Sequence, residues 1–332
     1  MSNEGLNRTL LRVSLQGFTR AVLLSRLSIS ILAILLLFVL GEVILPGFMS
    51  FSHVMSILRL SVFLGIVTLG QTLVVISGEE GIDLSVGSVV SLGVVISAYL
   101  LNGQDINIPK ALIFVPAVGL GIGLLSGLAI SYIQIPPIIM TLAMASVVEG
   151  TSLIITRGFP TGSAPRFLEI IGSGKVLNVP YLILLWVLAI LSMTFVLAKT
   201  RWGSILYGVG SNSLTAELSG VMVRRFRVFV YGACGAIACA AGLLVLSYTG
   251  TPYLNLGATY TMPSIAAVAI GGISLAGGSG NYIGAVTGCI ILTTLNSILV
   301  ALRTTEAVRQ ITFGLLLLIL IISYTSRRKG GR

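Results

Sequence analysis

Charge is scarce along this chain of 332 residues: 9% are Asp, Glu, Lys or Arg, while 55% are hydrophobic. A soluble protein of that composition would have too little polar surface to surround one core. A bilayer is the alternative. Runs almost free of charge recur along the whole length, each near the ~20 residues that a helix needs to cross the hydrocarbon. Histidine is nearly missing. His53 is the single one, set among polar residues after Pro46 where a solvent-facing loop is expected, so catalysis through histidine has almost nothing to draw on. The three cysteines, Cys234, Cys239 and Cys289, lie inside apolar runs without the spacing or the histidine partners of a metal site, and are read as small core residues. No GxxxxGK[ST] stretch occurs, which excludes a phosphate loop of that kind for ATP. Nor does a nucleophile, base or metal cluster stand out to support an enzyme.

Positive charge is what the chain has in excess, with a formal net of +10. The basic residues cluster in loops and tails beside the apolar runs, which points to a membrane surface rather than to nucleic acid. Hydropathy predicts an all-α, polytopic transmembrane helical bundle of about ten spans, one or more of them broken or short. The spans fall near residues 28–45, 56–77, 84–101, 111–133, 136–156, 181–198, 226–248, 262–276, 282–301 and 307–324. Arg8, Arg12 and Arg20 precede the first span without a small-residue cleavage site, so residues 1–27 read as a retained cytoplasmic arm. With that arm inside, thirteen of the 20 Lys and Arg fall inside, in keeping with the excess that cytoplasmic loops carry. Both termini are then cytoplasmic. Residues 28–325 form one transmembrane domain and 326–332 a basic tail.

Two connections are long. Residues 157–180, outside, contain a short apolar patch at 167–171 and read as a small cap. Residues 199–227, inside, are more informative. From Tyr207 the sequence runs YGVGSNSLTAELSGVMVRRFRVFVYG: a glycine turn, then a short helix over 213–218, capped by Ser211 or Asn212 and ended by Gly220. Such a helix lying along the membrane is either a docking knob for a partner or a linker whose arginines hold the inner leaflet.

Between the second and third spans lies SGEEGIDLSVGS, residues 77–88. Asp83 is placed to N-cap a helix starting at Leu84, with Ser85 and Ser88 free for hydrogen bonds between helices. The same segment, as a broken helix at membrane depth, would line a pathway. Glu79 and Glu80 are expected to be solvated, with contact to a partner or an ion as the alternative. Later, GISLAGGSGN at 272–281 echoes GIDLSVGSVV at 81–90, yet both fall on the cytoplasmic side of this scheme, unlike the halves of an inverted repeat. Among polar residues inside spans, Gln71 and Asn296 suit solute hydroxyls or interhelical bonds equally. Glu149 is expected to meet Arg157 or a solute.

The segment at 81–88 matches, residue for residue, the GIDLSVGS signature of the permease subunits of sugar-type ABC importers. That group includes ribose and xylose permeases and, more distantly, branched-chain amino acid permeases. The inner loop is similar too, with Gly210, Asn212, Ala216, Ser219, Gly220, Arg225 and Tyr231 in the family's pattern, although Thr215 replaces a common alanine. Pro137, Thr141 and Leu142, and near the end Asn296, Gln310 and Gly314, extend the resemblance over most of the chain. The two acids before the signature are a departure, since relatives place glycine there. The resemblance implies a permease domain in the bacterial cytoplasmic (inner) membrane that carries a small sugar or sugar-like solute into the cytoplasm. In it, residues 210–220 would couple to a separate ATPase, while Gln71, Asp83, Ser85, Ser88, Thr141 and Asn296 would lie along the solute path. It implies as partners a second permease subunit, identical or paralogous, a cytoplasmic ABC ATPase, an extracytoplasmic solute-binding protein and lipid. The chain itself is expected to bind no cofactor or metal, ATP and magnesium belonging to the ATPase. Without the resemblance, an ion- or proton-coupled secondary transporter would stand level with this reading, although Glu149 alone is a thin proton relay.

Overall fold

A computed structural model of the protein describes residues 26–329. Nearly all of the amino-terminal arm, with Arg8, Arg12 and Arg20, lies outside the described residues, as does the end of the basic tail. Every predicted hydrophobic segment coincides with a helix. In chain order these are α1 (Arg26–Ile44), α2 (Phe51–Ile76), α3 (Val86–Leu101), α4 (Ile108–Leu128), α5 (Pro137–Thr156), α6 (Arg166–Ser173), α7 (Tyr181–Lys199), α8 (Arg201–Ser211), α9 (Ser213–Leu218), α10 (Val223–Thr249), α11 (Ala258–Ile270), α12 (Tyr282–Ala301) and α13 (Glu306–Lys329). Six helices among the described residues are long and apolar enough to cross a membrane, and three shorter ones, within α1, α3 and α11, are also apolar. The cap over 157–180 is folded: α6 is followed by a hairpin of β1 (Lys175–Val176) and β2 (Val179–Pro180), paired antiparallel. That hairpin is the only departure from all-α among the described residues.

Boundaries moved where local chemistry overruled hydropathy. α2 begins at Phe51, so His53 is not in a loop: its ring packs on Phe48 with centroids 4.5 Å apart, and Nε2 lies 3.2 Å from Ser297 Oγ. Polar residues in a first helical turn had the look of a loop. α11 ends at Ile270, before the predicted 276, because Gly271 and Gly272 follow and Gly272 is left-handed (φ 76°). The glycine turn expected after Tyr207 is instead helical, since α8 runs through Gly208 and Gly210 to Ser211, its start capped by Thr200 Oγ1 accepting from Gly203 N–H.

The layering follows from where each helix is apolar. α2 and α10 form the centre, with 83% and 67% of their most apolar stretches buried, whereas α5 and α7, buried over 22% of theirs, form a rim. The outer surface of the rim and of α4 is mostly apolar: Ile113, Val147, Ile154 and Leu188 are exposed. Such surface is untenable in water and expected in lipid. Lipid offers no hydrophobic drive between helices, so the centre is joined by close packing of small residues. α4 and α10 touch backbone to backbone. A Cβ added at Gly119 would lie 2.2 Å from Gly235 O, and one at Gly123 would lie 2.1 Å from Tyr231 O. Two residues from the second of these, Gly121 faces open space. The three cysteines are fully buried, and a polar relay crosses the same core, Trp186 Nε1 donating to Tyr282 Oη at 3.0 Å and Tyr282 Oη donating to Gly65 O at 2.7 Å.

Candidate functional site

The break between α2 and α3 organises the site. Gly78, Glu79 and Glu80 are all left-handed (φ 81°, 51° and 56°), which turns the chain sharply out of α2. α3 starts at Val86, later than predicted, with Ser85 at the cap position and no side-chain cap bond. Asp83 therefore does not N-cap a helix at Leu84. Its Oδ1 accepts from Ser85 N–H at 2.8 Å and from Ser85 Oγ at 2.6 Å, closing an Asx turn one step upstream. Gln71, with its amide oriented to satisfy both groups, donates to Asp83 O and accepts from Asp83 N–H, each at 3.2 Å. Thr141, in the first turn of α5, accepts from Leu84 N–H at 3.0 Å and donates to Pro137 O at 2.8 Å. Three elements are thus stitched through one non-helical segment, whose backbone groups are satisfied by side chains as buried irregular backbone requires.

Of the six residues assigned to a solute path, five gather here, and Gln71, Asp83, Ser85, Ser88 and Thr141 are all buried. Asn296 does not join them. It is half-buried on α12 beside Ser297, which meets His53 about five helical turns from Gln71 along α2. Glu149 meets Ser88, whose Oγ donates to it at 2.9 Å. The expected pair with Arg157 is not formed: eight residues span about 12 Å of helix, and Arg157 ends α5 in a left-handed conformation that turns it away.

The inner loop folds as read around 213–218. Asn212 Oδ1 accepts from Thr215 N–H at 2.9 Å and caps α9, Gly220 is left-handed (φ 88°), and Val221 N–H returns to Ala216 O at 3.1 Å. The residues named for coupling divide by position. Asn212, Ser219 and Gly220 are exposed, and Ala216 is buried with Val209 and Val223. Gly210 is a weld: a Cβ there would lie 1.8 Å from Ile76 O and 2.6 Å from Gly278 N, and Gly78 and Gly277 crowd the same point. Gly278 N–H donates to Ile76 O at 2.9 Å and Tyr207 Oη to Gly280 O at 2.7 Å. The segments at 81–90 and 272–281 therefore lie at one end of the bundle. They share composition and not conformation, since the first winds into α3 by Val86 and the second stays irregular to Asn281.

The structure adds three features to that list. Leu214 and Leu218, one turn apart on α9, are 65% and 81% exposed, with Met222 next to them at 63%, an apolar knob aimed away from the protein. On α8, Trp202 packs against Phe226 with ring centroids 5.5 Å apart. Glu79, expected in solvent, forms an ion pair with Arg227 on α10 and accepts from Ser213 Oγ at 2.8 Å. Partial burial opposes ionisation of Glu79, but the hydrogen bonds from Arg227 and Ser213 and the Arg227 charge outweigh it, holding the carboxyl below its ordinary range. Only Glu80 of the two acids is left to water. Beside the pair is a cavity of about 340 Å³ lined by Ser131, Gln134, Glu217, Arg224 and Tyr231, among others. The exposed leucine repeat on α9 was visible in the sequence; the Glu79–Arg227 contact, 148 residues apart, was not.

An apolar rim, a core broken at one helix and a helical knob welded to one end together describe a membrane transport permease. The chain belongs to the family described as "Branched-chain amino acid transport system / permease component", whose model matches residues 53–321. It is 30% identical over 310 residues to the ribose import permease protein RbsC of Escherichia coli (strain K12), covering 92% of this chain and 95% of that protein. Against RbsC of Bacillus subtilis (strain 168) the identity is 31% over 294 residues, covering 88% and 90%. Against the autoinducer 2 import system permease protein LsrC of Escherichia coli O157:H7 it is 32% over 293 residues, covering 88% and 85%. No solved structure matches the chain.

Proposed function

We propose that the chain is the permease subunit of an ATP-binding-cassette importer that moves a small sugar or sugar-like solute into the cytoplasm across the bacterial inner membrane. The observation that carries this reading is α9: a capped helix with Leu214 and Leu218 turned outward, suited to a cleft on a separate ATPase that holds the ATP and magnesium. The family description names branched-chain amino acids, whereas the relatives reported above are import permeases for ribose and autoinducer 2, and the residue-for-residue GIDLSVGS favours the sugar side. In this reading the ten apolar helices, the short ones included, make up the membrane domain, both termini and α9 are cytoplasmic, and residues 199–227 are the coupling loop within one domain. Asn212 and Gly220 shape α9, Ala216 seats it and Ser219 continues its exposed face. Gln71, Asp83, Ser85, Ser88 and Thr141 brace the wall of the path.

The position of Glu149 supports a second permease subunit. That residue is exposed beyond the middle of a rim helix, and an ionisable group costs about 2.5–3.5 kcal/mol at the centre of a span facing lipid. A neighbouring subunit and the wet path between the two would cover it. An external binding protein delivers the solute and sets most of the specificity. The test is to purify the tagged chain in mild detergent beside a Leu214→Asp/Leu218→Asp variant. An ATPase retained by the native chain and lost from the variant is the expected result; uptake that survives without any ATPase and collapses with the proton gradient overturns the reading.

A further inference from the structure

We propose that Glu79 is a positioning residue of the transport cycle: one carboxylate that ties the coupling helix to α10 and so passes movement of α9 into the broken segment at 78–85. This rests on the importer reading. Three observations carry it. First, the two oxygens of Glu79 serve different elements, Oε1 accepting from Ser213, the first residue of α9, and Oε2 from Arg227 Nη1, one turn into α10. The carboxylate itself sits on neither helix but at the head of the segment that ends in Asp83, which Gln71 and Ser85 pin.

Second, Glu79 holds a left-handed backbone (φ 51°) between two other left-handed residues. A residue with a Cβ is disfavoured there, and such conformations persist where surrounding contacts enforce them and cluster at switches. Glycine would relieve the cost, and with it the side chain that makes the joint. Third, the joint is incomplete on the Arg227 side. Nη1 is engaged, but Nε and Nη2, the edge suited to two parallel bonds with a carboxylate, are buried without a partner, as is the hydroxyl of Tyr231 one turn further along α10. An ion pair held through one nitrogen, beside a cavity of about 340 Å³ that it helps to line, has both the freedom and the room to shift. Fully bidentate pairing in a filled core would have neither.

The welded glycines explain why a separate tie is needed. Gly210, Gly78 and Gly277 lock α8 to the end of α2, so force arriving at α9 is either absorbed at that fixed point or carried past it. Glu79 is the first side chain beyond the weld that reaches α9.

The experiment uses the complex of the full chain with its ATPase, carrying Glu80→Cys labelled with a spin probe. Glu80 is exposed and the three native cysteines are buried, so labelling is selective. The readout is the change in probe mobility when magnesium-ATP is added, which needs no knowledge of the solute. Relative to this parent, Glu79→Ala, which removes the bonds from both Ser213 and Arg227, should cut the response at least about tenfold, the scale expected for losing a charged hydrogen bond, while the ATPase still co-purifies and hydrolyses ATP. Glu79→Gln, which preserves volume and the Ser213 bond, should fall between them and guards against poor assembly of the alanine variant. The exchange Glu79→Arg/Arg227→Glu should restore the response. An assembled Glu79→Ala complex that responds like the parent overturns the proposal, and so does a loss that the exchange fails to recover, because a merely structural role predicts it. If no ATPase co-purifies with the unsubstituted chain, the importer reading itself falls, which is a different result.

Discussion

The seam between α4 and α10 and the joint around Glu79 hold the same central helix in opposite ways. Along the seam, backbones meet directly: Gly119, Gly123 and Gly235 bring carbonyl oxygens to distances no Cβ could share. At the joint, long side chains bridge between elements, one hydrogen bond at a time, beside an open cavity. Contacts of the first kind have one geometry, because interiors at close packing cannot slide by fractions of an ångström. Those of the second kind can re-form. The part of this permease that moves is accordingly sought where side chains make the connection, and the part that does not move where backbones do.

The sharpest way to break that contrast is at two glycines on one helix. Gly123→Leu drives a side chain into Tyr231 O and should cost more than about 4 kcal/mol, the range reserved for gross overpacking, whereas Gly121→Leu, in open space, should stay within about 0.5 kcal/mol. Thermal unfolding of both variants in the same detergent checks it, and equal losses would show that the seam is not a backbone contact. A smaller effect is expected at the end that carries α9. Asn212→Ala removes the cap of α9 and should loosen that helix by about 1 kcal/mol, seen as faster amide exchange at Thr215 with exchange in α4 unchanged.

The smallest effect is that of pH. The Glu79 carboxyl is held below its ordinary value in the folded protein, so the pairing is complete above the unfolded pKa of about 4.3 and is lost only as pH falls through the lower folded one. Probe mobility at Glu80→Cys should therefore be flat from about pH 8 to 5 and rise only in stronger acid. Because 58% of the Glu79 side chain is exposed, added salt should weaken the pairing while leaving the seam untouched.

How far the sequence disclosed this molecule varied with the range of the interaction. Helix α9 was legible to the residue because its signals are local: an asparagine whose side chain caps three residues on, and a glycine that only needs to be left-handed at its own position. The long apolar helices were legible because hydropathy is a property of each segment alone. α8 was misread as a turn at Gly208 and Gly210, since the glycine at 210 serves close approach to Ile76 and not chain reversal. Asp83 was misplaced by two residues because its neighbour Gln71 takes up its backbone and delays α3. Glu79 is paired where solvent was expected, and Glu149 meets Ser88 and not Arg157, for one reason: Arg227 and Ser88 are 148 and 61 residues away, and nothing in a single chain records which distant helix will face a carboxylate. The resemblance supplied the family without supplying those contacts, and the acids before the signature, where relatives place glycine, proved to include the residue that joins α9 to α10.

The chain has two tryptophans, and the fold has put them in two different kinds of place. Trp186 is sealed in the core with its indole nitrogen bound to Tyr282, while Trp202 is half-buried on α8 against Phe226 at the end that would receive the ATPase. Intrinsic fluorescence of the unlabelled protein is thus two signals of known address: a constant emission from a dry interior, and a second one whose colour reports wetting at the α8 end. Any spectral change on adding a partner can be assigned to one end of the molecule by replacing a single indole.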